Sequence, residues 1–184
     1  MAADRKGAKG SGEDHVDRLR RQWAKEVPDL DTEPMAVLGR AMRLSNMVRP
    51  SIEATFAGYG LDRGEFDVIA TLRRSGPPYR LTPTEMYGLL MISSGGLTHR
   101  LVRLEKAGLI RREPSAEDGR SMLVALTDAG ITLAEKAFRK DMASEAQFLE
   151  PLSAKERDML AGLLRKLIVG IDTRAASPDG QRDG

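Results

Sequence analysis

Apolar residues recur at helical spacing over most of the chain and switch to strand spacing once, after Gly108. Val16, Leu19 and Trp23 stand at i, i+3 and i+7 and predict a first helix over about 13–26, ending near Val27-Pro28. A second, over about 33–59, carries Leu38, Met42, Ser45, Val48, Ile52 and Phe56 on one face. Pro50 in its interior removes one backbone donor and predicts a kink. Asp62 followed by Glu65 reads as a capping box opening a third helix, with Phe66, Ile69 and Leu72 turned inward. Thr82-Pro83-Thr84-Glu85 repeats the device with proline at the first helical position, for a short fourth helix reaching Met91. Ser93 or Ser94 then starts a fifth that ends at Gly108, and so short a link makes the pair a helix-turn-helix.

Leu109–Glu113 and Ser121–Leu126 are short β-type runs joined by a polar segment containing Asp118-Gly119, the pattern of a hairpin, or wing. Thr127 caps a long helix to about Glu150, and Ser153 with Glu156 caps a last one carrying Leu160, Leu163, Leu164 and Ile168. The fold class is mainly α with a small β-wing: a winged helix-turn-helix whose terminal helices form a dimerisation region. Along the chain this gives a disordered tail at 1–12, N-terminal helices at 13–59, the winged region at 60–126, C-terminal helices at 127–174 and a second tail at 175–184. The terminal helices carry apolar stripes of their own, which must pack on something outside the winged core.

Composition narrows the chemistry. There is no cysteine, which removes disulfides, thiolate nucleophiles and thiol-oxidation switches together. The two histidines, His15 and His99, have no neighbouring carboxylates at ligand spacing, so no metal is expected. No apolar run approaches the roughly 20 residues of a membrane helix, and the N-terminus lacks a signal-type stretch, so a cytoplasmic protein without a membrane partner is expected. A G-x-S-x-G elbow and a phosphate-cradling loop after a strand are also absent, and the expectation is not an enzyme.

Net charge is only +2, but it is unevenly spread. Residues 73–120 hold nine bases against five acids, a local +4, flanked by acidic stretches. On the fifth helix Leu97, Leu101 and Leu104 share a buried side, while His99, Arg103 and Lys106 fall about 160°, 200° and 140° from Leu101. A basic stripe opposite an apolar one suits a helix that enters the major groove, where cations meet phosphates and guanine edges. Gly95 and Gly96 at the helix start permit close backbone approach. With Ser94 and Thr98 they complete the candidate DNA-contacting set on this helix. On an isolated helix the same stripe would be a solvated face; the turn, the wing and the local charge shift the reading.

Asp118-Gly119-Arg120, followed by Val124-Ala125-Leu126-Thr127-Asp128-Ala129-Gly130, resembles the wing signature of the MarR family of winged helix-turn-helix regulators, D-x-R and then V-x-L-T-x-x-G. Leu101-Val102-Arg103-Leu104-Glu105-Lys106-Ala107-Gly108-Leu109-Ile110 is similar to that family's recognition-helix ending. The resemblance implies a homodimer built from the terminal helices and binding to a pseudo-palindromic double-stranded DNA operator. It also implies that Arg120 reaches the minor groove from the wing tip while Asp118 holds the wing's shape.

A narrower resemblance is to the urate-responsive branch, the PecS-like and uricase-regulator proteins, which add an N-terminal helix bearing a tryptophan. Their ligand positions match Trp23, Asp67, Arg100 and Arg112 here. This implies a repressor with no cofactor, released by an effector that is urate or a similar small aromatic anion. The residue types fit: two guanidiniums offer fork-like hydrogen bonds to an anionic purine, and an indole offers a flat apolar wall. Structural readings stand beside these. Trp23 can dock an amphipathic helix, Asp67 can bridge to Arg100 or another arginine, and Arg112 can touch phosphate. Two alternatives remain: a MarR-like regulator answering another aromatic acid or phenol with a purely structural N-terminal helix, and a non-catalytic module that contacts a protein.

Overall fold

The helix starts follow from short polar devices that satisfy orphan amide groups. The computed structural model describes residues 12–91, 96–114 and 122–175. Helix α1 (His15–Glu26) is opened by Asp14, whose carboxylate accepts from the Asp17 amide while the Asp17 carboxylate accepts from the Asp14 amide. A π-helical turn, Met35–Gly39, precedes α2 (Arg40–Ala57), which runs through Pro50. The expected single helix over 33–59 is thus wound differently in its first turns. Along the expected apolar face, Leu38 and Met42 are exposed and Phe56 is buried.

Helix α3 (Arg63–Arg74) has the Asp62–Glu65 capping box, strand β1 is Arg80–Leu81, and α4 (Pro83–Leu89) has the Thr82–Glu85 box. Helix α5 (Leu97–Lys106) begins later than Ser93 or Ser94, after Gly96 in the left-handed region at φ +75° without a side-chain cap. Strands β2 (Ile110–Pro114) and β3 (Met122–Leu126) pair antiparallel with Arg112 opposite Val124, and β1 adds on the other side of β3, giving the order β1-β3-β2. Helix α6 (Asp128–Phe148) starts at Thr127, and α7 (Ala154–Ala175) starts at Ser153, paired with Glu156. Its last residue, Ala175, is the first of the expected C-terminal tail.

The chain divides into two compact units, residues 1–51 and 52–184. In the first, the Arg40 guanidinium clamps Asp14 at 2.8 Å and Asp17 at 2.7 Å, and Val16 packs over Gly39. In the second, α3 is the central element, buried on nearly every side, with Val68, Ile69 and Leu72 fully covered. Leu97, Leu101 and Leu104 of α5, Val124 and Leu126 of β3 and Ala134 and Ala137 of α6 complete the core, and Phe66 stacks on Phe56 at 3.9 Å. Helix α7 buries none of its residues.

One buried group bears on stability. Asp141 of α6 is 5% exposed, and its Oδ1 has no hydrogen-bond partner. Burial and the nearby Glu145 carboxylate raise its pKa to about 6 from the ordinary 3.8, against the pull of Arg63. A raised carboxyl pKa means that the folded chain holds the proton more tightly than the unfolded one. Stability therefore falls as pH rises from about 4 through about 6. Asp141→Asn is expected to raise the unfolding free energy at pH 8 by roughly 1–2 kcal/mol, a gain that fades by pH 4. Thermal melts of both proteins across that range check it.

Candidate functional site

The helix-turn-helix consists of α4 and α5, and its outer surface follows from the α5 periodicity. Leu97, Leu101 and Leu104 point into the core, leaving Thr98, His99, Val102, Arg103 and Lys106 exposed. Gly96, the helix cap, is exposed as well. Among the described residues neither His99 nor Lys106 makes an ion pair. Arg103 does: its Nε lies 2.9 Å from Oε1 of Glu65, and its Nη1 3.8 Å from Oδ2 of Asp62. Of the expected basic stripe, His99 and Lys106 therefore stand open, while Arg103 ties α5 to the α3 N-terminus. Glu65 is 2% exposed, and its other oxygen accepts from the Asp62 amide at 2.8 Å, so this buried carboxylate caps α3 and holds α5 at once. Ser94, Gly95, Asp118 and Arg120 lie outside the described residues.

The positions matched to a ligand divide between the two units. Trp23 sits in the N-terminal unit on α1, 46% exposed, with its carbonyl accepting from the Val27 amide that closes the helix. The other three lie in the winged unit. Asp67 is 6% exposed in the middle of α3 and faces the Arg74 guanidinium at 3.8 Å. Arg100 crosses from α5 to lie over Gly64, where a Cβ would come within 2.5 Å of its Cζ and 2.8 Å of its Nη2. Gly64 and Asp67 are three residues apart on one helix face, so α3 brings Arg100 and Asp67 to the same side. Arg112 of β2 pairs instead with Glu105, farther along α5, at 3.3 Å. Arg111 turns the other way, donating to the Leu126 carbonyl at 2.9 Å.

Three residues of this arrangement escaped the sequence reading. Gly64 is the seat for Arg100, Glu65 has a second partner beyond its cap, and Arg74 both faces Asp67 and donates to the Leu89 carbonyl at the end of α4. Only Gly64 left a trace, a glycine within the first turn of a helix, where alanine is the better helix former. Among the described residues no group of His, Cys, Asp and Glu is arranged to hold a metal ion, and no helix is long and apolar enough to cross a membrane.

Wing and α6 are joined by the residues of the V-x-L-T-x-x-G run. The Thr127 hydroxyl donates to the Gly108 carbonyl at 2.7 Å and accepts from the Gly130 amide at 3.0 Å, while the Thr127 amide donates to the Leu109 carbonyl at 3.1 Å. Gly130 lies directly against the Leu109 carbonyl, where a side chain has no room.

Residues 59–121 match the family model described as MarR family. The chain is 40% identical over 152 residues to the HTH-type transcriptional regulator PecS of Dickeya dadantii (strain 3937), covering 83% of this chain and 92% of that one. Among solved structures it is similar to AbsC, a MarR family transcriptional regulator from Streptomyces coelicolor, with a TM-score of 0.68 at 20% identity over 78% of this chain and 97% of that one. It is also similar to a mutant MarR from E. coli complexed with operator DNA, with a TM-score of 0.61 at 24% identity over 79% and 96%. The similarity to PecS along most of both chains, together with the α4–α5 pair and the β2–β3 hairpin, makes this chain a member of the MarR family of winged helix-turn-helix transcription regulators, and not an enzyme.

Proposed function

We propose that the protein is a homodimeric repressor that holds a pseudo-palindromic operator through α5 and its wings, and lets go when urate or a related purine anion binds. The observation that carries the ligand reading is the seating of Arg100, a recognition-helix residue, on Gly64, three residues before the buried Asp67 on α3. A planar anion with several acceptors competes for that guanidinium and offers it a charge-assisted fork. Because Arg100 belongs to the helix that presents His99 and Lys106, moving it repositions those groups, which supplies the differential affinity an effector needs. Arg112 reports to the same helix through Glu105. The homodimer is supported by α7, whose Leu160, Leu163, Leu164, Leu167, Ile168 and Ile171 are all exposed in the single chain.

Two variants test the ligand part. Arg100→Ala and Arg112→Ala are expected to keep operator binding and to need at least about tenfold more urate for release, the loss of one charge-assisted contact each. Gly64→Ala is a gentler probe. The added methyl displaces only the end of a flexible side chain, so folding is retained while urate sensitivity falls. Parent-like release by all three variants contradicts the assignment. Titrations with urate, xanthine and salicylate in parallel separate a purine effector from a simpler aromatic acid.

A further inference from the structure

Six residues of α5 are exposed, and helical geometry sets their order around it. Measured from the buried Leu101 at about 100° per residue, Glu105, Thr98, Val102, Lys106, His99 and Arg103 follow one another from about 40° to about 200°. Both ends of this arc are tied down. Glu105 is held by Arg112 of β2 at 3.3 Å, and Arg103 by Glu65 of α3 at 2.9 Å. The middle of the arc makes no ion pair among the described residues, so it is the part of the helix left for a groove. Val102 is the one apolar residue there. It is 51% exposed and takes no part in the core cluster. The helix does not ask for it either, because a β-branched side chain is a poorer helix former than alanine. A lone apolar side chain on a solvated face would need no account, but this one stands at the centre of the surface that a DNA-reading helix presents.

We propose that Val102 is a specificity-determining residue that reads a thymine. The major-groove edges of the bases carry hydrogen-bonding atoms, and thymine alone adds a methyl group, at C5. The branched end of Val102 packs on that methyl at one position in each operator half-site. A polar side chain at the centre of the face would gain nothing from the methyl, and valine gains nothing from the other three bases. Lys106, one turn further along the helix, meets phosphate, while Thr98 and His99 supply hydrogen bonds on either side. This assignment rests on the operator reading above, in which α5 enters the groove, and adds to it the base that the centre of the helix selects.

The test removes the methyl from the DNA and the valine from the protein. Duplexes that the full-length protein binds are selected from a random-sequence pool, and each thymine of the selected site is replaced in turn by deoxyuridine, which lacks only the 5-methyl. The expected result is one thymine in each half-site where the parent loses about fourfold in affinity, the worth of one buried methyl. Val102→Ala binds thymine and deoxyuridine equally at that position, and its losses at other positions match those of the parent. Its melting temperature stays at or above the parent's, because alanine suits an exposed helix position better. A selected site with no methyl-sensitive thymine overturns the proposal. So does a Val102→Ala protein that keeps the parent's discrimination, even if it binds both duplexes more weakly, since valine then serves only the helix. A specific site without methyl dependence refutes the Val102 assignment alone, whereas a selection that yields no preferred sequence refutes the operator reading and this assignment with it.

Discussion

Replacing Gly130 by alanine is expected to destabilise the protein by roughly 2–3 kcal/mol, the upper part of the range for overpacking, with a fall of about 5–10 °C in melting temperature. The reason is the kind of atom that a methyl would meet. At Gly64 it would meet the far end of an arginine, which can swing away. At Gly130 it would meet the Leu109 backbone carbonyl, with the Leu126 side chain 3.1 Å away. That carbonyl already accepts from the Thr127 amide, so it cannot retreat without breaking the junction between β2 and α6. Thr127→Ala, which removes a cap and a hydroxyl bridge but adds no atom, is expected to cost less, about 1–2 kcal/mol. Thermal unfolding of the two variants beside the parent checks the order, and a Gly130→Ala protein as stable as the parent refutes the steric argument.

The second large effect is expected at α7. In the single chain this helix exposes Leu160, Leu164, Leu167 and Ile171 along one stripe, and placing two aspartates there, Leu164→Asp with Leu167→Asp, strikes no buried residue of the chain itself. If the stripe pairs two copies, the double variant runs as a monomer in sedimentation. Its operator affinity falls by roughly 10²–10⁴-fold, because the second half-site is no longer bound at high effective concentration. A double variant that remains dimeric and binds normally assigns α7 some other partner.

What could be read along the chain was mostly local. The Asp62–Glu65, Thr82–Glu85 and Ser153–Glu156 caps are each complete within four residues, and all three helices start where these devices put them. The buried side of α5 was equally legible, since Leu97, Leu101 and Leu104 recur at helical spacing. What escaped depends on partners distant in sequence. Strand β1 is two residues long and exists only because Arg80 and Leu81 pair with Ala125 and Val124. The α5 start was misplaced because two serines imitate a cap, whereas the chain turns through left-handed Gly96. The apolar stripe over 38–56 was legible as a stripe, but periodicity does not say what covers it: Leu38 and Met42 are exposed while Phe56 is buried.

The site shows the same division. Helical geometry placed Arg103 on the outer stripe of α5, yet a long guanidinium side chain goes where a carboxylate is. For Arg103 that is Glu65, on another helix and 38 positions earlier in the chain. Asp67 was legible as a position, but its arginine partner, Arg74, follows from two helical turns of spacing and burial together. That Arg112 would be held by Glu105 had no signal in the alternation of β2.

The central claim is that the winged surface holds DNA and that an anion at Arg100 releases it. The most direct measurement is an anisotropy titration of the protein on DNA from immediately upstream of its own gene, repeated at several salt concentrations with and without urate. The account predicts tight binding that weakens steeply with salt as phosphate contacts are lost, and a further loss of affinity on adding urate that Arg100→Ala resists. Binding that ignores salt, or an operator complex that urate leaves unchanged in the parent protein, would contradict it.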